Sequence, residues 1–232
     1  MPHTSNLNNT GLQFHIVYCV LSILTSGVCW VNTNSINIRI QSLIRTVSLE
    51  LLLLITCLSG DHIMTLSNVK KSMWARALVD NTTHGAVGAL SWAIVIDLDL
   101  DPRKIVACLI CFLFSMAVDI DHFIAAKSLK LKAALSLKNR PSFHATSLLL
   151  LVVILLWILS LFLKKIPCLK TLSLCLFTAV FSHHIRDASR NGLWLPPFGE
   201  TTPLPIWLYI TSTLILPLLT KIIYQNFVIF HV

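Results

Sequence analysis

The chain has 232 residues, of which 55% are hydrophobic and only 12% are charged, and its formal net charge is +8. Soluble domains carry about 25% charged residues, so this composition excludes an ordinary soluble fold and indicates an integral membrane protein. At about 20 residues per membrane-spanning helix, the chain has room for about five to seven spans. We therefore expect an all-α, multi-pass helical bundle in a lipid bilayer, whose basic connections contact phospholipid head groups and not nucleic acid.

The candidate helices are apolar runs separated by polar connections. They cover residues 12–31, 43–60, 84–101, 105–122, 141–163, 166–187 and 206–219. The sequence leaves open whether the first run spans the membrane, and we expect a short interfacial helix around Trp74. We divide the chain into an N-terminal extension over residues 1–41, a helical membrane domain over residues 42–220 and a C-terminal tail over residues 221–232.

Acidic and imidazole side chains lie at the ends of four consecutive runs. His84 begins one run, Asp119–His122 ends the next, His144 lies near the start of the third, and His183–Asp187 ends the fourth. If each run crosses the membrane once, the chain alternates sides and all four groups fall on one face. Ionisable groups at membrane depth are costly and usually functional, so the pattern predicts one shared site.

The spacing within these groups favours metal binding. Residues three or four apart share a helix face, which lets Asp119 pair with His122, and His183 or His184 pair with Asp187. Mixed imidazole and carboxylate ligands suit zinc, iron or manganese better than calcium. Simpler interpretations exist for each residue alone: His144 as a hydrogen-bonded residue at a helix start, or Asp187 as a partner of a nearby arginine.

The order of these motifs, followed by the loop Pro197-Phe198-Gly199, resembles the YdjM-type bacterial inner-membrane, metal-dependent hydrolases. A closer likeness, over about residues 42–210, is to an animal family of multi-pass membrane proteins, and it is most specific in Ser182–Asp187. The bacterial family is distantly similar to zinc-dependent phospholipase C folds, so the resemblance implies hydrolysis of a phosphoester at a membrane surface. The metal-ligand roles that it implies fall on His84, Asp119, Asp121, His122, His144, His183 and Asp187.

The chain also departs from the bacterial pattern. Where that pattern has His-Arg-Gly-Phe-Thr-His, residues 139–144 read Asn-Arg-Pro-Ser-Phe-His, so one imidazole and one glycine are missing. His184 is additional to the pattern. A catalytically inactive membrane scaffold or interaction protein, which keeps the cluster for structure, is therefore the alternative to an enzyme, and a transporter is a third hypothesis.

The leading hypothesis is a hydrolase that uses a divalent transition metal, with zinc favoured. A bound metal ion activates water and neutralises charge on a phosphoryl oxygen. Asp121 or Asp187 is predicted to accept the proton. Arg140 and Arg186 are predicted to hold the anionic substrate, because a guanidinium fork matches phosphate.

Overall fold

The described part of the chain is built from helices. A computed structural model describes residues 9–163 and 168–226, with side chains from residue 36 onward. The elements are α1 (Asn9–Thr65), α2 (Ser67–Lys71), α3 (Met73–Val95), α4 (Pro102–Ala117), α5 (Ile120–Ala125), α6 (Leu131–Ala134), a 3₁₀ turn (Ser142–His144), α7 (Thr146–Phe162), α8 (Cys168–Asn191) and α9 (Ile206–Tyr224). Within these ranges the only β-type pairing is isolated bridges at Trp194. The predicted all-α class is confirmed.

Four of the described helical segments are long and apolar enough to cross a membrane. They are Ile36–Thr65, Pro102–Ala125, Cys168–Asn191 and Ile206–Tyr224, and α7 is a shorter apolar helix. The predicted multi-pass membrane protein is confirmed. The run at residues 12–31 belongs to α1, but whether it spans the membrane lies outside the residues whose side chains are described.

The chain divides into two compact units, Met1–Ile44 and Arg45–Val232. The second unit contains every candidate site residue. Within it, α3 packs against α4, α8 and α9, and α8 also packs against α4 and α7. Helices α3 and α8 therefore form the centre of this unit, and both carry site residues.

Close contact between the central helices depends on small side chains, as lipid-embedded packing generally does. A Cβ atom added at Gly88 of α3 would lie 2.8 Å from Cβ of Ser115 in α4. The thiol of Cys111 donates to the Gly88 carbonyl oxygen at 3.2 Å. Cys108 and Cys111 are buried with free thiols, so this pair packs the helix junction.

The prediction that a helix begins at His84 is wrong, because His84 lies in the middle of α3. Ser72 caps this helix by accepting a hydrogen bond from the Ala75 amide at 3.2 Å. The polar residues before His84 do not interrupt the helix. The Thr83 hydroxyl donates to the Val79 carbonyl one turn back, at 2.6 Å, and so satisfies its own polarity inside the helix.

The predicted helix start at Pro141 is also wrong. Residues 141–145 form an extended residue and a 3₁₀ turn, and α7 begins at Thr146. The Thr146 amide donates to the Trp194 carbonyl at 2.9 Å, which ties the helix start to the loop after α8. His144 therefore lies in a connection and not in a helix. Asp119 likewise lies in the interruption between α4 and α5.

The loop after α8 turns back on the helix that it follows. Gly192 ends α8 with φ +74°, a conformation that suits glycine at a helix C-terminus. The Leu193 amide donates to the Thr201 hydroxyl at 2.8 Å, and the Leu204 amide donates to the Ala188 carbonyl at 2.8 Å. This loop holds the start of α7 beside the end of α8.

We expect Gly192→Ala to destabilise the protein more than Gly199→Ala. Both residues have positive φ, which costs a residue with a side chain about 1–2 kcal/mol. Only at Gly192 would the new Cβ clash, at 1.9 Å from the Thr201 carbonyl oxygen, whereas nothing lies within 4 Å at Gly199. Overpacking adds about 1–3 kcal/mol. Apparent melting temperatures of the purified variants in detergent measure the difference, and equal shifts would contradict the loop structure.

Candidate metal centre

Four side chains from three parts of the chain surround one small space. The Nε2 atom of His144 lies 3.4 Å from Oδ1 of Asp119 and 3.4 Å from Oδ2 of Asp187. The Nε2 atom of His183 lies 3.6 Å and 3.4 Å from the same two oxygens. Ligands at about 2.0–2.2 Å from a tetrahedral zinc ion lie about 3.3–3.6 Å apart. Each of these imidazole–carboxylate distances fits a pair of ligands of one transition metal ion, and His144, His183 and Asp187 form one group that could hold an ion.

The surroundings of His183 are the strongest indication that a cation belongs here. Its Nδ1 atom lies 2.8 Å from the Ser115 carbonyl oxygen. Because a carbonyl only accepts hydrogen bonds, Nδ1 carries the hydrogen and Nε2 of the neutral ring presents a lone pair. That Nε2 atom is buried without a hydrogen-bond partner and faces two carboxylates. Only a proton or a metal ion relieves this arrangement, and histidine ligands of metals are oriented in the same way.

His144 is held in place from three directions. Its Nδ1 atom lies 3.4 Å from Oδ2 of Asp121. The preceding peptide is fixed on both sides, since the Phe143 amide donates to Asp121 at 2.6 Å and His184 Nε2 donates to the Phe143 carbonyl at 2.9 Å. Asp121 and His184 therefore orient His144 from behind and leave its Nε2 atom directed at the site.

The charge of His144 depends on the surrounding acids. Burial alone would lower the pKa of this imidazole, but hydrogen bonds with Asp119, Asp121 and Asp187 outweigh burial and raise the pKa to about 11. In the metal-free protein the ring is therefore protonated at neutral pH. A metal ion bound at Nε2 would replace that proton as the counter-charge to the carboxylates.

His84 and Arg190 enclose Asp187 on the side away from His144. The Nε2 atom of His84 lies 3.3 Å from Oδ1 of Asp187, and the His84 ring stacks on His183 with centroids 3.7 Å apart. Arg190 donates to Asp187 Oδ1 at 2.8 Å and to Asp80 Oδ2 at 2.9 Å. This bridge fixes the Asp187 carboxylate so that Oδ2 is directed at His144 and His183.

His122 lies at the open edge of the cluster. Its Nδ1 atom is 3.3 Å from Oδ1 of Asp121 and 3.8 Å from Oδ1 of Asp119. The ring meets His144 edge-on, with centroids 4.7 Å apart. Its side chain is 28% exposed, whereas that of His183 is fully buried. His122 can therefore meet a ligand that enters from solvent or lipid.

The structure brings all seven predicted metal-ligand residues into one region, but it gives them different positions. Donor atoms close enough to share one ion come from His84, Asp119, His122, His144, His183 and Asp187, in three overlapping groups. Asp121 is absent from these groups because its oxygens face Phe143, His144 and His122. Its position is that of a carboxylate that orients ligands.

Arg186, which was predicted to hold substrate, is enclosed by acidic side chains. Its side chain is 1% exposed, and the guanidinium donates to Asp80 at 2.6 Å and to Asp61 at 3.0 Å. These ion pairs attach α8 to α3 and α1, and the substrate-binding role stays a prediction. Arg140, by contrast, lines the cavity beside the site.

The supporting part played by Asp80 was not predicted from the sequence. Asp80 accepts from both Arg186 and Arg190 and lies 3.8 Å from His84. Its spacing of four residues before His84, and that of Arg190 three residues after Asp187, place each pair on one helix face. This spacing could have indicated from the sequence that Asp80 and Arg190 belong to the site. It does not distinguish a residue that binds the metal from one that orients a metal ligand.

A family model described as YdjM inner membrane protein matches residues 79–231. This match covers more than half of the chain and includes every residue of the site described above except Asp61. The chain belongs to the YdjM family. The resemblance noted from its motifs is confirmed, as is the assignment to an integral, multi-pass membrane protein.

Named relatives of this YdjM family member include vertebrate proteins called transmembrane protein 267. The Danio rerio protein is 42% identical over 171 residues, which cover 72% of this chain and 75% of the relative. The Bos taurus protein is 41% identical over 177 residues, covering 76% and 80%. The Mus musculus protein is 37% identical over 177 residues, again covering 76% and 80%. No solved structure matches the chain.

We expect Arg186→Gln to destabilise the protein by roughly 3 kcal/mol, because removing one partner of a buried ion pair leaves uncompensated charge. Arg190 remains beside Asp80 and limits the loss. The control is Arg103→Gln, whose side chain is 91% exposed beside Asp101, where solvent screens the ion pair and its loss should have little effect. Melting temperatures in detergent compare the two variants. A shift for Arg186→Gln as small as that of the control would contradict a stabilising role for the buried ion pairs of Arg186.

Proposed function

We propose that this protein is a membrane-bound, metal-dependent hydrolase of phosphoesters that acts at one face of the bilayer. The observation that carries the proposal is the buried Nε2 atom of His183, which makes no hydrogen bond and faces the carboxylates of Asp119 and Asp187 at 3.6 Å and 3.4 Å. Asp187 does pair with an arginine, Arg190, through Oδ1, but its Oδ2 atom faces His144 and His183.

Asp119, His144, His183 and Asp187 are the residues that would hold the ion. His84 and His122 flank them. A divalent transition metal would supply Lewis acidity, activating a water molecule and neutralising charge on a phosphoryl oxygen. The chain itself supplies the fixed orientation of each donor, through Ser115 behind His183 and Arg190 behind Asp187.

A catalytic role fits this site better than a purely structural one. Structural zinc sites are closed by four protein ligands and have no open position. Here Asp119, His122, His144 and Asp187 line an open cavity, so a substrate can reach the donors. This access favours the enzyme over the scaffold that keeps its cluster only for folding.

His122, supported by Asp121, is the best-placed proton acceptor. It lines the cavity, and its Nδ1 atom lies 3.3 Å from Asp121, an arrangement in which a carboxylate supports an imidazole base. Asp121 itself is 4% exposed and does not line the cavity. Both oxygens of Asp187 face other partners. We therefore assign the proton-accepting role to His122 in place of these two acids.

Removal of donor side chains should remove the metal. We expect protein purified in detergent to contain a transition metal, with zinc favoured, and expect His183→Asn and His144→Asn to lose it. Asp121→Asn leaves the inner donors in place and should weaken affinity by only about 10–100-fold. His62→Ala, at an exposed histidine on α1, is the control and should keep full occupancy. Elemental analysis of the purified proteins measures the metal content of each variant. Wild-type protein without bound metal would contradict the proposal.

Replacement of His122 should separate binding from turnover. We expect His122→Gln to keep its metal while kcat for a soluble phosphodiester, bis-(p-nitrophenyl) phosphate, falls by about 10²–10⁴-fold, the contribution typical of a general base. Chelation should abolish the activity and added zinc should restore it. Loss of metal together with activity would make His122 a ligand, and an unchanged kcat would remove it from the mechanism.

A further inference from the structure

A cavity of about 520 Å³ opens beside the His/Asp site. This volume lies within the range of about 300–1,000 Å³ that is usual for small-molecule sites. The cavity is therefore large enough for a small organic ligand. Its lining combines apolar side chains with charged ones, and this combination indicates what the cavity binds.

One part of the cavity lining is apolar. Trp74, Ala77 and Leu78 of α3 belong to it, and Asn81 follows on the same helix face. Leu131, Ala134 and Leu135 line the cavity from α6 and its end. Trp74 is 69% exposed, Leu78 67% and Leu135 55%, so apolar lining side chains reach the surface of the protein. In a membrane protein, such side chains contact lipid more readily than water.

The rest of the lining carries charges of both signs, with Lys138, Arg140 and Arg190 as the basic residues and Asp80, Asp119 and Asp187 as the acidic ones. Lys138 and Arg140 line the cavity beside His144. Arg140 donates to the backbone carbonyls of Asn191 and Gly192. These acceptors are neutral, so they fix the guanidinium without cancelling its charge. Glu200 lies 3.5 Å from Arg140 and is 64% exposed, so solvent screens this pair.

We propose that the cavity binds a single-chain amphiphile with a phosphate head group. The alkyl chain lies between the start of α3 and α6, and the phosphate lies beside Arg140 and Lys138, next to the donor atoms of the site. A guanidinium fork and an ammonium group both suit phosphate. Hydrolysis of this ligand would rest on the proposed function, but its binding would not.

The binding experiment uses the full-length protein, purified in a non-ionic detergent, and three probes. Dodecyl phosphate has both the chain and the head group, inorganic phosphate has only the head group, and dodecyltrimethylammonium has the chain with the opposite charge. We expect dodecyl phosphate to bind at least about tenfold more tightly than inorganic phosphate, because each buried methylene adds to affinity. We expect the same preference over dodecyltrimethylammonium, because Arg140 and Lys138 attract a phosphate and repel a cation. Equilibrium binding of radiolabelled probes measures this preference.

Two matched leucine variants locate the chain. Leu135 lines the cavity, whereas Leu129, on the same connection, does not and is 91% exposed. We expect Leu135→Asp to weaken dodecyl phosphate binding at least about tenfold and to leave inorganic phosphate binding unchanged, while Leu129→Asp changes neither. Arg140→Gln should weaken the binding of both phosphate probes.

Three results would overturn the inference: equal affinity for dodecyl phosphate and inorganic phosphate, equal affinity for the cationic amphiphile, or equal effects of the two leucine variants. The binding experiment and the metal analysis also test the two proposals separately. Protein that contains no metal but selects dodecyl phosphate overturns the hydrolase alone. Protein that binds metal but shows no selection overturns this inference alone.

Discussion

The structure depends on buried imidazole nitrogens that face carboxylates, an arrangement that needs a proton or a metal ion between them. The ring of His183 is fixed by the Ser115 carbonyl so that its second nitrogen faces Asp119 and Asp187. Lone pairs directed at carboxylates inside an apolar bundle are costly, since buried polar groups need a partner. The surrounding helices pack tightly enough to hold them there. A site kept in this form is arranged around a cation, whether a proton or a metal ion.

Helix α8 carries several of the charged and ligating side chains. His183, Asp187 and Arg190 lie on one face of this helix: His183 and Asp187 direct donor atoms at the site, and Arg190 fixes the Asp187 carboxylate. Arg186 lies beside them and joins α8 to Asp80 and Asp61. Asp61, Asp80 and Asp187 are therefore each paired with an arginine of α8, and the pairs with Asp80 attach α3 to α8. The same ion pairs stabilise the helix packing and fix the side chains of the site.

The sequence predicted which residues meet better than it predicted what each one does. The expected meeting of His84, His144 and His183 is observed, but the argument for it assumed that each run crosses the membrane once. Helix α3, which carries His84, is not among the four described segments that are long and apolar enough to cross. Roles depend on side-chain packing that no spacing rule fixes. Arg186 and Arg190 are four residues apart and look equivalent, yet one is enclosed by carboxylates and the other borders the cavity. The predicted helix boundaries were wrong where one hydrogen bond decided the true boundary. These bonds are the one from the Thr83 hydroxyl to the Val79 carbonyl and the one from the Thr146 amide to the Trp194 carbonyl.

X-ray absorption spectroscopy of the purified protein tests the central claim most directly. At the absorption edge of the metal that copurifies with the protein, we predict a first shell of nitrogen and oxygen at about 2.0–2.2 Å, with the outer-shell scattering of at least two imidazoles. His183→Asn should lose this signature. A first shell that contains sulfur at about 2.3 Å, as a cysteine site would give, would contradict the account, and so would a first shell without imidazole.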